Sequence, residues 1–297
     1  MGFQKSNDPR IQQSNKTMPA TALADHGPIA QPEGLIISIR ELVTHYDGRP
    51  ILQGINLDIR RGETMVILGR SGCGKSTLLR HLVGLSAPTS GRIIIKGFEL
   101  TSMSEAEQVP VRRKLGMLFQ SAALFNSMTV AENVALPLRE HTELEPSTIN
   151  IMTRIKLELV GLAGFENFTP DQLSGGMKKR AGLARAIAMD PEILCCDEPS
   201  AGLDPVVAVG IDNLILKLKR AFKMTTIVVT HELASVFLIA DRIAMLHQGH
   251  IVALGTPEEL RASDDPIVKQ FLNREADEEE VDRERYLNSL VGTIEEN

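Results

Sequence analysis

The sequence has few cysteines, no long apolar run and no excess of positive charge. Its three cysteines are Cys73, Cys195 and Cys196. An odd count without metal-ligand spacing supplies neither a disulfide framework nor a zinc site, and it suits a cytosolic setting. Apolar stretches such as Leu35–Ile37 and Val236–Ala240 stop far short of the roughly 18 residues a membrane span requires. Lys and Arg number 32 against 38 Asp and Glu, so no overall basic field exists to hold nucleic acid or anionic lipid, and any such contact would need a local patch. Residues 1–34 have no apolar segment of the signal-peptide kind and scatter Gln, Asn, Ser, Pro and Gly. They are expected to form a disordered leader.

Between Leu35 and about Asn273, short β-branched runs alternate with helical stretches, the pattern of an α/β fold with a mainly parallel sheet. Strands are expected at 35–43, 51–59, 64–68, 92–95, 114–119, 193–196 and 226–229. Helices are expected at 76–83, 175–189 and 206–222, and a hairpin around Gln248-Gly249. Residues 128–168 carry 3.6-period apolar positions and few strand signals, and read as part of a helical insertion spanning about 121–190. From Arg274 to Asn297 the chain opens on an acidic run, Glu275 and Asp277–Glu280, that repels itself and stays solvated. Beyond it Leu287, Leu290, Val291 and Ile294 follow helical spacing. This tail is either a helix that docks on a partner or a plain acidic extension.

The chemistry starts after the third strand. Gly69-Arg70-Ser71-Gly72-Cys73-Gly74-Lys75-Ser76-Thr77 fits G-x-x-x-x-G-K-[ST] between a strand and a helix, the context that makes this a phosphate-binding loop. Its glycines let backbone N–H groups turn inward, and the helix N-terminus adds partial positive charge. Lys75 is expected to reach the β- and γ-phosphates and Ser76 to ligate Mg²⁺. Cys73, beside Lys75 and a helix start, is either a thiol of lowered pKa or an inaccessible small residue. The apolar run Ile193–Cys196 ends in Asp197-Glu198. If its strand neighbours the P-loop strand in a parallel sheet, Asp197 can hold Mg²⁺ and Glu198 can deprotonate an attacking water. Alone, such a pair would equally serve as a helix cap. Cys195 and Cys196 read as buried small hydrophobes.

Leu173-Ser174-Gly175-Gly176-Met177 then leads a helix ahead of Asp197-Glu198-Pro199-Ser200-Ala201-Gly202-Leu203-Asp204. This resembles the signature motif and D-loop of the ABC ATPases, and residues 35–273 follow that family's order of elements. The resemblance implies a P-loop NTPase fold with an N-terminal antiparallel β subdomain and an inserted helical subdomain. It implies ATP and Mg²⁺ as cofactors, and a homodimer in which each ATP lies between one P-loop and Ser174, Gly175 and Gly176 of the other subunit. It also implies that Tyr46 stacks on adenine, that Gln120 senses Mg²⁺ and the nucleophilic water, that His231 bonds the γ-phosphate, and that Asp204 communicates across the dimer. Met177 departs from the usual Gln of the signature.

The form Met117-Leu-Phe-Gln120-Ser-Ala-Ala-Leu-Phe125-Asn-Ser-Met128-Thr-Val130 is similar to the Mla-type ATPases that move phospholipid with MCE-domain proteins. That likeness implies a peripheral subunit on the cytoplasmic face of the inner membrane. Its expected partners are an integral permease, an MCE-domain protein and an accessory cytoplasmic subunit, with no nucleic acid. Importers of polar solutes such as amino acids share parts of this frame and are the alternative. Leu124, Phe125 and Met128 either receive a partner helix or belong to the core of the insertion. No coiled-coil insertion or zinc cysteines suggest a DNA-maintenance ATPase. Glu198 and His231 argue against a scaffold that binds ATP without hydrolysing it.

Overall fold

The computed structural model describes Ile29 and residues 31–275. Most of the leader, the acidic run from Asp277 and the apolar stripe of the tail lie outside the described residues. The expected boundary at Leu35 falls too late. Ile29 N donates to Gly97 O at 2.7 Å and the Gln31 side chain accepts from Gly97 N, so these residues already lie along the first sheet.

Strands β1 (Leu35–Tyr46) and β2 (Arg49–Arg60) form a hairpin through Asp47 and Gly48. Both turn residues have positive φ, 50° and 75°, as a two-residue hairpin loop matching strand twist demands. Strand β3 (Thr64–Leu68) and helix α1 (Lys75–Leu82) follow. Then come β4 (Ser90–Ile95), β5 (Phe98–Glu99), α2 (Glu105–Arg112) and β6 (Leu115–Leu118). The expected insertion is present as α3 (Val130–His141), α4 (Pro146–Leu159) and α5 (Gly175–Ala186), the last ending three residues early. The chain finishes with β7 (Ile193–Asp197), α6 (Pro205–Phe222), β8 (Thr225–Thr230), α7 (Leu233–Ile239), β9 (Arg242–His247), β10 (His250–Gly255), α8 (Pro257–Arg261) and α9 (Pro266–Leu272).

Local chemistry sets many of these boundaries. Thr129 and Glu132 make a capping box at the start of α3. Ser174 caps α5 by accepting from Met177 N. Asp204 caps α6, with Pro205 in the first turn where its missing N–H costs nothing. Helix α2 is not among the expected helices; it holds Pro110 within it, and its own capping box of Ser104 and Glu107 marks its start.

The first sheet is antiparallel with order β2-β1-β4-β5, and the second has order β10-β9-β3-β8-β7-β6. In the second, β9, β3, β8, β7 and β6 run parallel and β10 antiparallel. Alternating side chains build a core on each face. Val66, Leu68, Leu194, Cys196 and Val228 join the helices on one side. Met65, Ile67, Ile193, Cys195, Ile227 and Val229 join α1 and the antiparallel sheet on the other. Cys195 and Cys196 are thus buried on opposite faces, as small hydrophobes. One expectation is corrected: β7 does not neighbour β3. Strand β8 lies between them, so the carboxylates of β7 reach the P-loop from one strand further away.

Candidate active site

Parallel strands bring their C-terminal ends to one edge, which is where α/β sheets place ligands. Here Leu68 of β3 is level with Thr230 of β8, Val229 of β8 with Asp197 of β7, and Cys196 of β7 with Leu118 of β6. The next residues in each strand therefore share that edge: the P-loop, His231, Glu198 and the segment leading to Gln120.

Between β3 and α1, Gly72 and Gly74 have φ of 81° and 106°, a region that side chains strain to adopt. Gly74 also packs tightly, since a Cβ there would lie 2.8 Å from Leu52 Cδ2 and 2.9 Å from Ile51 O. That contact seats the β1–β2 hairpin on the loop; Tyr46, paired with Arg49 at the turn of the same hairpin, is exposed. Lys75 is buried, and its ammonium donates to the carbonyls of Gly69 at 2.8 Å and Arg70 at 2.9 Å. The rim residues Ser71 and Gly72 are exposed, and Thr77 follows Ser76 in the first turn of α1. Arg70 also donates to the carbonyl of Glu275, the last described residue.

Ser76 Oγ donates to Asp197 Oδ1 at 3.0 Å. Burial raises the Asp197 pKa above the usual carboxylate value, an effect the Ser76 hydrogen bond opposes. This hydroxyl and carboxylate make a hard oxygen donor pair of the kind Mg²⁺ takes. Glu198 has φ of 46°, a left-handed conformation that costs a non-glycine residue about 1 kcal/mol or more. Its N–H donates to Val229 O at 2.8 Å, and its Oε1 lies 2.8 Å from Nδ1 of the half-exposed His231. Gln120 is exposed beyond β6.

Ser174, Gly175 and Asp204 form a second exposed group, with Gly176 buried beneath it. A Cβ on Gly176 would meet Val207 Cγ1 at 2.6 Å, and one on Gly175 would meet Leu203 Cδ2 at 3.2 Å, so the start of α5 sits directly on the start of α6. Within the chain the Asp204 carboxylate accepts from Val206 N and Val207 N.

Two features were not legible from local sequence. Lys179, buried in α5, donates to Gln120 O at 2.5 Å and Glu198 O at 2.9 Å. Burial lowers its pKa, while the carboxylates of Glu198 and Asp197 act to raise it. Asp212 of α6 is buried, accepts from Ser235 Oγ at 2.6 Å, and Ser235 Oγ lies 3.1 Å from Ser200 Oγ.

Cys73 is corrected. Burial raises its thiol pKa, and the neighbouring Lys75 charge only partly opposes this. Alkylation of Cys73 by iodoacetamide is therefore expected to be slower at pH 7 than that of an exposed thiol, and to accelerate as pH rises beyond the ordinary thiol range. ATP should slow it further. Peptide mass spectrometry over a pH series measures this, and faster modification than a model thiol at pH 7 would refute it.

Beside the Gln120 segment lies an open cleft of about 580 Å³, lined by Phe119, Ala123, Phe125, Leu136, Pro137 and Arg185 among others. The expected apolar trio divides here: Phe125 is 49% exposed and lines the cleft, whereas Leu124 packs on the core. Met128 is half-buried.

A P-loop, an acidic pair and a histidine on one edge of a parallel sheet define a nucleoside triphosphatase of the cassette type. Residues 52–201 match the family described as ABC transporter, and the chain belongs to it: it is an ATP-binding cassette with ATPase activity. It is 43% identical over 242 residues to the probable ribonucleotide transport ATP-binding protein mkl of Mycobacterium leprae, covering 82% of this chain and 70% of that one. It is 42% identical over 242 residues to the intermembrane phospholipid transport system ATP-binding protein MlaF of Escherichia coli K12, covering 82% and 90%. Among solved structures, the cassette MJ0796 in a dimeric post-hydrolysis state bound to ADP and Pi aligns with a TM-score of 0.70 and 30% identity, covering 74% of this chain and 98% of that one. No helix among the described residues is long and apolar enough to cross a membrane.

Proposed function

We propose that this chain is the ATPase subunit of a phospholipid transporter of the MCE-linked kind, dimerising around two ATP molecules and acting on the cytoplasmic face of the inner membrane. In this reading the P-loop amides receive the phosphates, and the Lys75 ammonium transfers from the Gly69 and Arg70 carbonyls to the β- and γ-phosphate oxygens. Ser76 and Asp197 would hold Mg²⁺, with Gln120 reaching the same region. The ion, when bound, neutralises charge on the β- and γ-phosphates. Glu198 takes the proton of the attacking water, and His231 fixes the Glu198 carboxylate from one side while bonding the γ-phosphate from the other. Tyr46 stacks on adenine. Ser174, Gly175 and Gly176 of a second copy close over the nucleotide, with Asp204 at the same interface.

The observation that carries the cargo assignment is the likeness to MlaF of Escherichia coli and of Haemophilus influenzae, which spans 90% and 92% of those proteins. The cleft beside Gln120 supports the membrane partner. Its lining mixes apolar residues such as Phe119, Phe125 and Leu136 with Arg112, Arg113, His141 and Arg185, which suits a short amphipathic helix of an integral permease, and its position links that helix to the catalytic edge.

The test is affinity purification of the chain from detergent-solubilised membranes, with identification of co-purifying proteins and lipids. A permease, an MCE-domain protein and bound phospholipid are expected, an accessory cytoplasmic subunit among them. A permease that pairs with a receptor for amino acids, ribonucleotides or another polar solute would replace phospholipid by that solute. Phe125→Asp is expected to keep ATP binding and to lower permease recovery about tenfold or more, because it places a charge in the apolar seat. Unchanged recovery would remove the cleft from the interface.

A further inference from the structure

Four backbone carbonyls near the catalytic edge are taken by two cations of one helix. Lys179 donates to Gln120 O and Glu198 O. Arg185, nearer the end of α5, donates to Ala122 O and Ala123 O, both at 2.8 Å. Three of the four acceptors, Ala122, Ala123 and Glu198, have φ of 61°, 47° and 46°. Non-glycine residues hold that conformation only where their surroundings fix it. The Glu198 peptide is held on its other side by Val229 O, which leaves Lys179 as the tie between Glu198 and Gln120.

We propose that Lys179 is a positioning residue for ATP hydrolysis, its ammonium locking the backbones of Gln120 and Glu198 at a fixed separation so that the glutamine and the carboxylate address the same water. It touches neither nucleotide nor water in this role, and acts only through the two residues it joins. Both are on the chain's own edge, and the helix that carries Lys179 begins at Ser174. A shift of α5 would therefore move both catalytic segments together.

Misplacement of reacting groups by about 1 Å costs up to about 10²-fold in rate. Lys179→Met keeps the length and apolar stem of the side chain and removes its donors. It is expected to lower kcat about ten- to a hundredfold while the Kd for ATP stays within about twofold. Lys179→Gln keeps N–H donors for the two carbonyls and is expected to restore most of that loss. In a Glu198→Gln background, Lys179→Met should cost much less than in the natural chain, because two changes acting through one group are not additive. Single-turnover hydrolysis, ATP binding and melting temperature are measured for all the variants. Turnover of Lys179→Met within twofold of the natural chain would overturn the proposal. So would a joint fall of Kd-derived affinity, melting temperature and kcat in both Lys179→Met and Lys179→Gln, which is the behaviour of a purely structural lysine.

Discussion

Glu198→Gln is expected to lower ATP turnover by about 10²-fold or more with ATP binding intact. The amide has the shape of the carboxylate but cannot accept the water's proton. The backbone at this position is held by Val229 and Lys179 rather than by the side chain, so the left-handed geometry persists in the variant. The P-loop is untouched, and the variant should accumulate as an ATP-bound dimer on size-exclusion chromatography. Retention of more than half the natural activity would exclude Glu198 as the base.

The second large effect distinguishes within-chain from between-chain action of the signature. Ser174→Arg and Lys75→Ala homodimers are both expected to lose nearly all turnover, the first by blocking an interface with a bulky cation and the second by removing the phosphate ligand. In a mixed dimer of one chain of each kind, head-to-tail pairing places both lesions in one composite site and leaves the other intact. That intact site should occlude nucleotide, where neither homodimer does. Absence of occlusion in purified mixed dimers would argue against the pairing. The intrachain geometry fits a trans role: Ser174 and Gly175 are exposed, while Leu203 supports Gly175 and Val207 supports Gly176 from within the chain.

The phosphate loop and the acidic pair were legible because each is a contiguous run whose chemistry depends on its own residues. The helical insertion was legible from its period, and helix starts from caps such as Thr129 and Asp204. Sheet order was not, since nothing local in Thr225–Thr230 says that this strand lies between β3 and β7. That placement decides how His231 meets Glu198. Lys179 was equally hidden. In sequence it is one cation among Lys178, Lys179 and Arg180, and only burial singles it out. Cys73 shows the opposite error: its neighbours in sequence argue for a reactive thiolate, but desolvation outweighs them. Met177 in place of the family's usual Gln leaves the N-cap of α5 intact, since Ser174 binds its backbone N–H.

The buried chain Ser200, Ser235 and Asp212 bears on how this protein tolerates sequence change. The three positions come from the segment after Glu198, from α7 and from α6, yet hydrogen bonds link each to the next, through one of the two Asp212 carboxylate oxygens. Replacing one by an apolar residue strands a buried polar partner, at a cost of about 1–3 kcal/mol, whereas replacing the set by apolar groups of matching volume can be nearly neutral. Drift at these sites is therefore epistatic. An engineer redesigning the segment beyond Glu198 inherits constraints from two helices distant in the chain, and a library that varies Ser200 alone samples mainly losses.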